Sequence, residues 1–185
     1  NGRRIAKKLS EKLGIHYYDK ELIKLASEQN DISYDELVKV DEKRANPWRY
    51  PVEDPMQMQP QYRFFPMNDV LFQTESEIIE SLAEKEDCVI IGRCANHILK
   101  DKCSSVFIHA PFEYRVKTVM NRLDRTEKSA RAMIRKIDKE RRSYYEYFTD
   151  ERWLDMSQYD LCIDSSRFTP PQIVRMLKAM YEEMN

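Results

Sequence analysis

Two charged residues follow directly on apolar, strand-like runs of this 185-residue chain, and they are its first candidates for chemistry. Asp19 closes the β-prone run at residues 15–18, and Gly92-Arg93 closes the continuous apolar run at 88–91. Open α/β sheets bind ligands outside the carboxyl ends of their strands. We therefore expect Asp19 and Arg93 to border one cleft at one sheet edge. Capping of the next helix remains the alternative for Asp19, and a structural salt bridge the alternative for Arg93.

Cations dominate the stretch from residue 115 to residue 142, and between Lys128 and Lys139 the only acid is Asp138. Four side chains of this stretch share nearly one helix face: Arg131, Arg135, Asp138 and Arg141. Such a face suits a lid that closes over the phosphates of a donor, because positive charge stabilises a transferring phosphoryl group. We therefore predict a helical lid at 126–148 that stays outside the core. A plain solvated helix is the alternative.

The overall charge balance argues against a nucleic-acid-binding protein. Lys and Arg number 31 against 32 for Asp and Glu, which gives a net charge of -1. The basic stretch at residues 115–142 is the only feature that favours a nucleic-acid-binding helix module. Because the total charge is nearly neutral, we predict no nucleic-acid partner. With 42% hydrophobic and 34% charged residues the chain is not disordered. Its apolar runs are too short to cross a bilayer and no signal peptide is visible, so we expect a cytoplasmic protein without a membrane partner.

Neither the cysteines nor the histidines have the spacing of a metal site. The chain contains Cys88, Cys94, Cys103 and Cys162, and His16, His97 and His109, all scattered along the sequence. Paired short spacings, as in zinc sites, are missing among them. We predict reduced, mostly structural thiols and no protein-bound metal cage.

Strand-like and helical patterns alternate along the chain. We predict strands at residues 15–18, 88–91, 105–110 and 159–164, with helices before, between and after them. This order is typical of a parallel sheet with helices on both faces. The fold prediction is therefore α/β, in a single domain over residues 1–185.

Residues 45–67 interrupt this alternation. Five prolines and several aromatic residues occur there, and regular structure cannot run through them. Disorder is one interpretation. We favour an insertion loop that packs on the domain or on a second copy of the chain, which would then form a homo-oligomer.

Four stretches, taken in order, resemble the cytidylate kinase-like branch of the P-loop kinases. They are residues 1–9 (NGRRIAKKL), 18–21 (YDKE), 90–93 (IIGR) and 138–141 (DKER). The resemblance spans nearly the whole chain. It implies the three-layer fold of the P-loop kinases, with the first strand and most of the glycine-rich phosphate loop expected before Asn1.

On the donor side, the resemblance places the start of the first helix at the phosphates of ATP. Gly2, Arg3 and Arg4 stand at the end of the phosphate loop, where backbone N–H groups and the positive helix end hold phosphate oxygens. Gly2 occupies the place of the usual phosphate-binding Lys, and Arg4 the place of the usual magnesium-binding Ser or Thr. Arg3 or Arg4 is expected to supply the positive charge, because guanidinium binds phosphate in a bidentate way. Two solvated arginines are the alternative.

On the acceptor side, the resemblance assigns Asp19 to the acceptor nucleotide and Arg93 to its phosphate. Lys24 lies beside the position of a further phosphate-binding Arg of the family and is expected to substitute for it. Asp138 and Arg141 keep an Asp-x-x-Arg spacing that the family uses against the acceptor sugar and base. Cys94 replaces an Asp that helps to read cytosine, so the base of the acceptor stays open.

The implied function is transfer of the γ-phosphoryl group of ATP, with Mg²⁺, to a nucleoside monophosphate such as CMP or a similar small acceptor. The residues expected to act in transfer are Arg93, Arg131 and Arg135. The altered phosphate-loop positions motivate a second hypothesis, a nucleotide-binding or regulatory protein that keeps the fold without catalysis.

Overall fold

The computed structural model describes residues 2–40 and 67–184, and this part of the chain forms eight α-helices and four β-strands. The helices are α1 (Gly2–Leu13), α2 (Glu21–Asn30), α3 (Tyr34–Val40), α4 (Met67–Lys85), α5 (Ala95–Ile98), α6 (Phe112–Leu123), α7 (Glu127–Thr149) and α8 (Pro170–Met184). The strands are β1 (His16–Tyr18), β2 (Cys88–Ile90), β3 (Val106–His109) and β4 (Leu161–Asp164). The insertion predicted at 45–67, with its proposed role in a homo-oligomer, lies outside the described residues except for Met67, where α4 begins.

The strands pair in parallel, as an α/β fold with helical crossovers requires. β1 pairs with β2, placing Tyr18 beside Ile90, and β3 pairs with β4, placing His109 beside Asp164. Among the described residues these are two separate two-stranded sheets. The prediction of an α/β fold with parallel strands is confirmed.

Helices cover both faces of the strands, and alternate residues of β2 show this directly. Cys88 and Ile90 pack against a core cluster that α2, α3, α4 and α5 supply, including Leu22, Ile23 and Ile79. Val89 points the other way and packs against a second cluster. That second cluster combines residues of α1, α8 and the strands: Ile5, Leu9, Ile163, Ile173, Val174 and Leu177. Since side chains alternate across a strand, one apolar run serves both layers.

Two structural features were not predicted from the sequence. The one-turn helix α5 follows β2 after a tight turn, and a 3-10 helix occupies Met156–Gln158. Both are too short for their periodicity to stand out from loop sequence.

None of the described helices combines the length and the apolar character that a membrane span requires.

Candidate functional site

The ends of β1 and β2 bring Asp19 and Arg93 together. Because Tyr18 and Ile90 are partners in the parallel register, the residues that follow them emerge side by side. Arg93 Nη1 lies 3.4 Å from Asp19 Oδ1. Both side chains therefore occupy one carboxyl edge, as expected from their positions after two strands.

Arg93 is nevertheless buried and does not project into solvent. Only 2% of its surface is exposed, and its Nε donates a hydrogen bond of 2.7 Å to Oε1 of Glu75 on α4. Its Nη1 also reaches the carbonyl oxygen of Ile91 at 3.4 Å. The expected open, phosphate-facing arginine is instead the centre of a buried ion-pair network.

The backbone after β2 explains why this arginine turns inward. Gly92, Arg93 and Cys94 adopt φ values of 69°, 53° and 56°, three successive left-handed residues. Glycine takes this conformation readily, whereas arginine and cysteine rarely do. Strained backbone of this kind persists where the surroundings hold it in place, and it concentrates at functional sites.

Asp19 connects the strand edge to the start of α1. Arg3 binds the Asp19 carboxylate through two of its three guanidinium nitrogens, at 2.9 Å from Nη2 to Oδ1 and 2.5 Å from Nε to Oδ2. The hydroxyl of Tyr17 donates to the same carboxylate at 3.4 Å. One carboxylate thus bridges Arg3, predicted on the donor side, and Arg93, predicted on the acceptor side.

The N-terminus of α1 presents open, positive backbone. Its first turn contains no acidic residue, so nothing on the helix itself offsets the positive end of the dipole. A Cβ built on Gly2 meets no atom within 4 Å, and Arg4 is exposed beside it. Space and charge for an anion are therefore both present here.

Lys24 stands apart from this cluster. It lies on the exposed side of α2, where its Nζ is 3.9 Å from Oε1 of Glu28. The contacts of the described residues do not bring it to Asp19 or Arg93. Its substitution for a phosphate-binding arginine remains a prediction.

The cationic side chains of α7 are partly neutralised by α6. Arg131 forms a bidentate pair with Glu113, at 2.8 and 2.6 Å, and its Nε donates to Glu127 at 2.8 Å. The hydrogen bonds from Glu113 and Glu127 raise the pKa of the guanidinium. Both Arg131 and Arg135 lie over the ring of Phe112, with guanidinium carbons 5.6 and 5.4 Å from its centroid.

Asp138 is also held by a cation of α6. Arg115 contacts it through two hydrogen bonds of 2.8 and 2.6 Å. A pocket of about 350 Å³ lies beside this pair, lined by Phe112, Arg135, Asp138, Lys139 and Arg142. Arg141, the other predicted acceptor residue, has an exposed side chain on the same helix.

The prediction that residues 126–148 stay outside the core is wrong. Ala130 and Ile134 pack against Val116 of α6, and Tyr144 and Tyr145 pack against Cys94. An amphipathic helix of this length buries one stripe while its arginines stay on the other side, so the cost of burying charge is avoided. Movement of α7 as a lid remains a prediction.

Cys94 lies in the interior between the strand edge and α7. It is 4% exposed, and Asn96, two residues further on, donates a 2.9 Å hydrogen bond to the Tyr145 hydroxyl. Burial against two tyrosines explains why a thiol, rather than a carboxylate, fits this position.

Sequence reasoning missed two charged partners, Glu75 and Arg115. Glu75 is 1% exposed and stands on the apolar stripe of α4 between Leu71 and Ile79. A single carboxylate at a core position of an amphipathic helix is a readable signal, because such a group needs a buried cation nearby. Arg115, by contrast, looks like any other cation of a basic segment.

No cluster of three or more His, Cys, Asp or Glu side chains suited to a metal ion occurs among residues 2–40 and 67–184. Asp19, the carboxylate nearest to Arg3, is already occupied by two arginines. The described side chains therefore do not form a metal-binding set of their own.

Comparison with known proteins adds a family and two solved structures. The model of the cytidylate kinase-like family matches residues 1–167. An uncharacterized protein from Eubacterium ventriosum is 26% identical with a TM-score of 0.70, and the alignment covers 98% of this chain and 91% of that one. Shikimate kinase from Aquifex aeolicus is 19% identical with a TM-score of 0.46, over 97% of this chain and 87% of the other. No curated protein matches the chain.

Proposed function

Because this chain belongs to the cytidylate kinase-like family, we propose that it transfers the γ-phosphoryl group of ATP to a nucleoside monophosphate, CMP or a similar small acceptor. In this reaction a phosphate oxygen of the acceptor attacks the γ-phosphorus in line. The bond between that phosphorus and the β,γ-bridging oxygen breaks, and ADP leaves with the electron pair. The protein supplies position and positive charge, since little covalent chemistry is left for it to perform.

The observation that carries the proposal is the bridge from Arg3 through Asp19 to Arg93. It joins the N-terminus of α1 to the carboxyl edge of β1 and β2, which is where open α/β sheets bind ligands. Donor and acceptor phosphates held by these two arginines would meet near one carboxylate. Closeness of the two phosphates is one requirement of in-line transfer.

The donor is assigned to the start of α1. Gly2, Arg3 and Arg4 would hold its phosphates through backbone N–H groups and guanidinium forks, and the open space above Gly2 supports this assignment. Arg131 and Arg135 of α7 would add positive charge during transfer. Of these two, Arg135 has the freer guanidinium, because Glu113 and Glu127 already bind Arg131.

Magnesium is assigned to the donor rather than to the protein. Mg²⁺ keeps several waters and needs only one or two carboxylates when phosphates are present. The described residues provide no ligand set for it.

The acceptor is assigned to Asp19 and Arg93, with Lys24, Asp138 and Arg141 as further contacts. Arg93 would offer a phosphate a charge-assisted contact in place of its 3.4 Å contact with Asp19, while its Nε stays bound to Glu75. Cys94 is buried and stands where the family has an Asp that helps to read cytosine, so the base of the acceptor is not defined.

A second candidate is a nucleotide-binding protein without turnover. Carboxylates neutralise both Arg3 at the start of α1 and Arg93 at the strand edge. In addition, Gly2 and Arg4 stand where P-loop kinases carry their Lys and their Ser or Thr. Such a protein would bind a nucleotide at α1 and leave it unchanged.

The test is a matrix of nucleoside triphosphates against nucleoside monophosphates and small alcohols, with the full-length protein and Mg²⁺, read by ³¹P NMR and by calorimetry. Appearance of ADP and a newly phosphorylated acceptor supports the kinase. Binding without product supports the second candidate. If neither binding nor transfer occurs with any pair, both are wrong.

A further inference from the structure

Two carboxylates contact the guanidinium of Arg93: Glu75 binds its Nε, and Asp19 lies near its Nη1. Glu75 and Arg93 have side chains only 1% exposed, and the Nε to Oε1 distance between them is 2.7 Å. The contact from Nη1 to Asp19 is longer, at 3.4 Å, and the Asp19 side chain is 12% exposed. The two carboxylates are therefore not equivalent. Glu75 makes the short, enclosed contact, and Asp19 makes the longer one at the carboxyl edge of the strands.

We propose that Glu75 is a positioning residue for the acceptor site, which fixes the Arg93 guanidinium through Nε so that its Nη edge faces Asp19 at the strand edge. The inference rests on the proposed function. A guanidinium is planar, so a hydrogen bond at Nε sets the rotation of the whole fork. An arriving phosphate exchanges with the weak Asp19 contact, while the strong Glu75 contact keeps the fork in place.

Fold stability alone does not account for this pair. Removing two charges from water costs several kcal/mol per ion, and apolar residues of similar volume often serve a core equally well or better. A buried Arg–Glu pair beside a ligand edge has a further effect, because it holds a flexible side chain in one orientation before the ligand arrives. Pre-organised donors of this kind lower the cost of binding.

The sequence neighbourhood of Glu75 provides a matched control. Glu77 lies on the same helix and is exposed, and among the described residues its bonds go to the side-chain amides of Gln29 and Gln73. Replacing Glu77 removes a carboxylate from α4 without touching Arg93. Any effect of helix charge or helix propensity is therefore shared by variants at both positions.

Three substitutions separate positioning from charge. Glu75→Ala removes the acceptor of the Nε hydrogen bond, and we expect the KM for the acceptor to rise about tenfold, the equivalent of one charge-assisted contact, with the KM for the donor unchanged. Glu75→Gln keeps the length and an amide oxygen, and should restore most of the loss. Glu75→Asp keeps the charge and withdraws the carboxylate by one methylene, and should behave like Glu75→Ala.

A double-variant cycle tests whether Glu75 acts through Arg93. With Arg93→Ala already present, Glu75→Ala should cause no further change in the acceptor KM. The ¹⁵N NMR signal of the Arg93 Nε–H gives a readout that does not depend on activity. It should exchange slowly with solvent in the wild-type protein and in Glu75→Gln, and fast in Glu75→Asp.

The outcomes separate this inference from the proposed function. If the wild-type protein transfers phosphate and Glu75→Asp keeps a normal acceptor KM while Glu75→Gln does not, the carboxylate acts by charge and the positioning role is wrong. Equal effects of Glu77→Ala and Glu75→Ala contradict it as well. If wild-type protein neither binds nor phosphorylates any acceptor, the proposed function itself is wrong, and the inference that depends on it is wrong with it. If Glu75→Ala does not fold, the Gln and Asp variants still decide the question.

Discussion

At the scale of single residues, Arg93 shows how burial changes what a charge does. A guanidinium at an exposed strand end would contribute to ligand binding and little to the fold. With 2% of its surface exposed and Glu75 at 2.7 Å, the same group is part of the packed interior and contributes to the stability of the fold. Removing one partner of a buried pair leaves the other charge without compensation, and that is costly.

Arg93→Ala should therefore lower the free energy of unfolding by about 3–5 kcal/mol, because Glu75 would stay buried without its cation. Urea unfolding followed by circular dichroism measures the change. Arg4→Ala, an exposed arginine of α1, is the control and should stay within about 0.5 kcal/mol of wild type. A loss below 1 kcal/mol in Arg93→Ala would contradict its burial.

A second residue-scale prediction concerns the pair of His16 in β1 and Glu86, which lies two residues before β2. His16 Nδ1 lies 2.6 Å from Oε2 of Glu86, and the Tyr18 hydroxyl donates to Oε1 at 2.5 Å. The hydrogen bond to Glu86 raises the pKa of His16 above 6.5, and the hydrogen bonds from Tyr18 and His16 lower the pKa of Glu86 below 4.5.

The sign of the pH effect follows from these two directions. A raised histidine pKa stabilises the fold fully below pH 6.5, and this contribution is lost as the pH rises through the folded-state value. A lowered carboxyl pKa stabilises above pH 4.5, and its contribution is lost as the pH falls through its own folded-state value. The pair therefore stabilises most between pH 4.5 and 6.5.

This pair should cause Tm to decline as the pH rises above 6.5, and His16→Gln should make that decline smaller. Differential scanning fluorimetry across the pH range measures the Tm of both proteins. Glu86→Gln should have the same effect, and combining the two should add nothing in that window. Independent effects of the two variants would show that the groups do not act as a pair.

At the scale of elements, α6 selects which cations of α7 remain available to a ligand. Glu113 and Arg115, two residues apart on α6, bind Arg131 and Asp138 on α7. Arg135 keeps only its ring contact with Phe112 among the described residues, and it lines the 350 Å³ pocket. The packing of two helices thus divides a uniform-looking basic segment into occupied and available charges.

Arg135→Ala should therefore weaken binding of a nucleoside triphosphate about tenfold, since one charge-assisted contact is lost. Arg131→Ala should weaken it less, because Glu113 and Glu127 already compete for that guanidinium. Calorimetric titration at two salt concentrations is the measurement, and the loss should shrink at the higher salt concentration. Lys128→Ala, at the start of α7, is the control. A larger effect of Arg131→Ala than of Arg135→Ala would reverse this assignment.

At the scale of the whole molecule, Asp19 links the helix α1 to the two strands and, through Arg93, to α4. A ligand that binds the folded state raises Tm, by the equivalent of about 2.7 kcal/mol at a concentration one hundred times its Kd. Since Asp19 contacts both arginines and is itself assigned to the acceptor, donor and acceptor binding should share a dependence on this carboxylate.

Asp19→Asn should reduce the thermal shifts caused by a nucleoside triphosphate and by a nucleoside monophosphate, each tested separately. Asp31→Asn is the control, because asparagine suits the left-handed φ of 54° at that exposed helix end. If only one of the two shifts falls in Asp19→Asn, the carboxylate serves a single site and does not connect the two.

The sequence by itself determined the order of helices and strands, their parallel pairing and the meeting of Asp19 and Arg93 at one edge. These follow from local causes, namely apolar periodicity and the geometry of parallel strands. The family motifs could be recognised in the sequence because they lie at strand ends and helix starts, which the apolar periodicity predicts.

Only the tertiary structure decided which charges neutralise each other. The partners are far apart in the chain: 18 positions separate Glu75 from Arg93, 23 separate Arg115 from Asp138, and 74 separate Asp19 from Arg93. Such contacts depend on how helices pack and on three left-handed residues, two of which are types that rarely adopt that conformation. Local sequence encodes neither the helix packing nor these backbone conformations. The tertiary structure was therefore needed to show that Arg93 turns inward to Glu75 and that Glu113 and Glu127 bind Arg131.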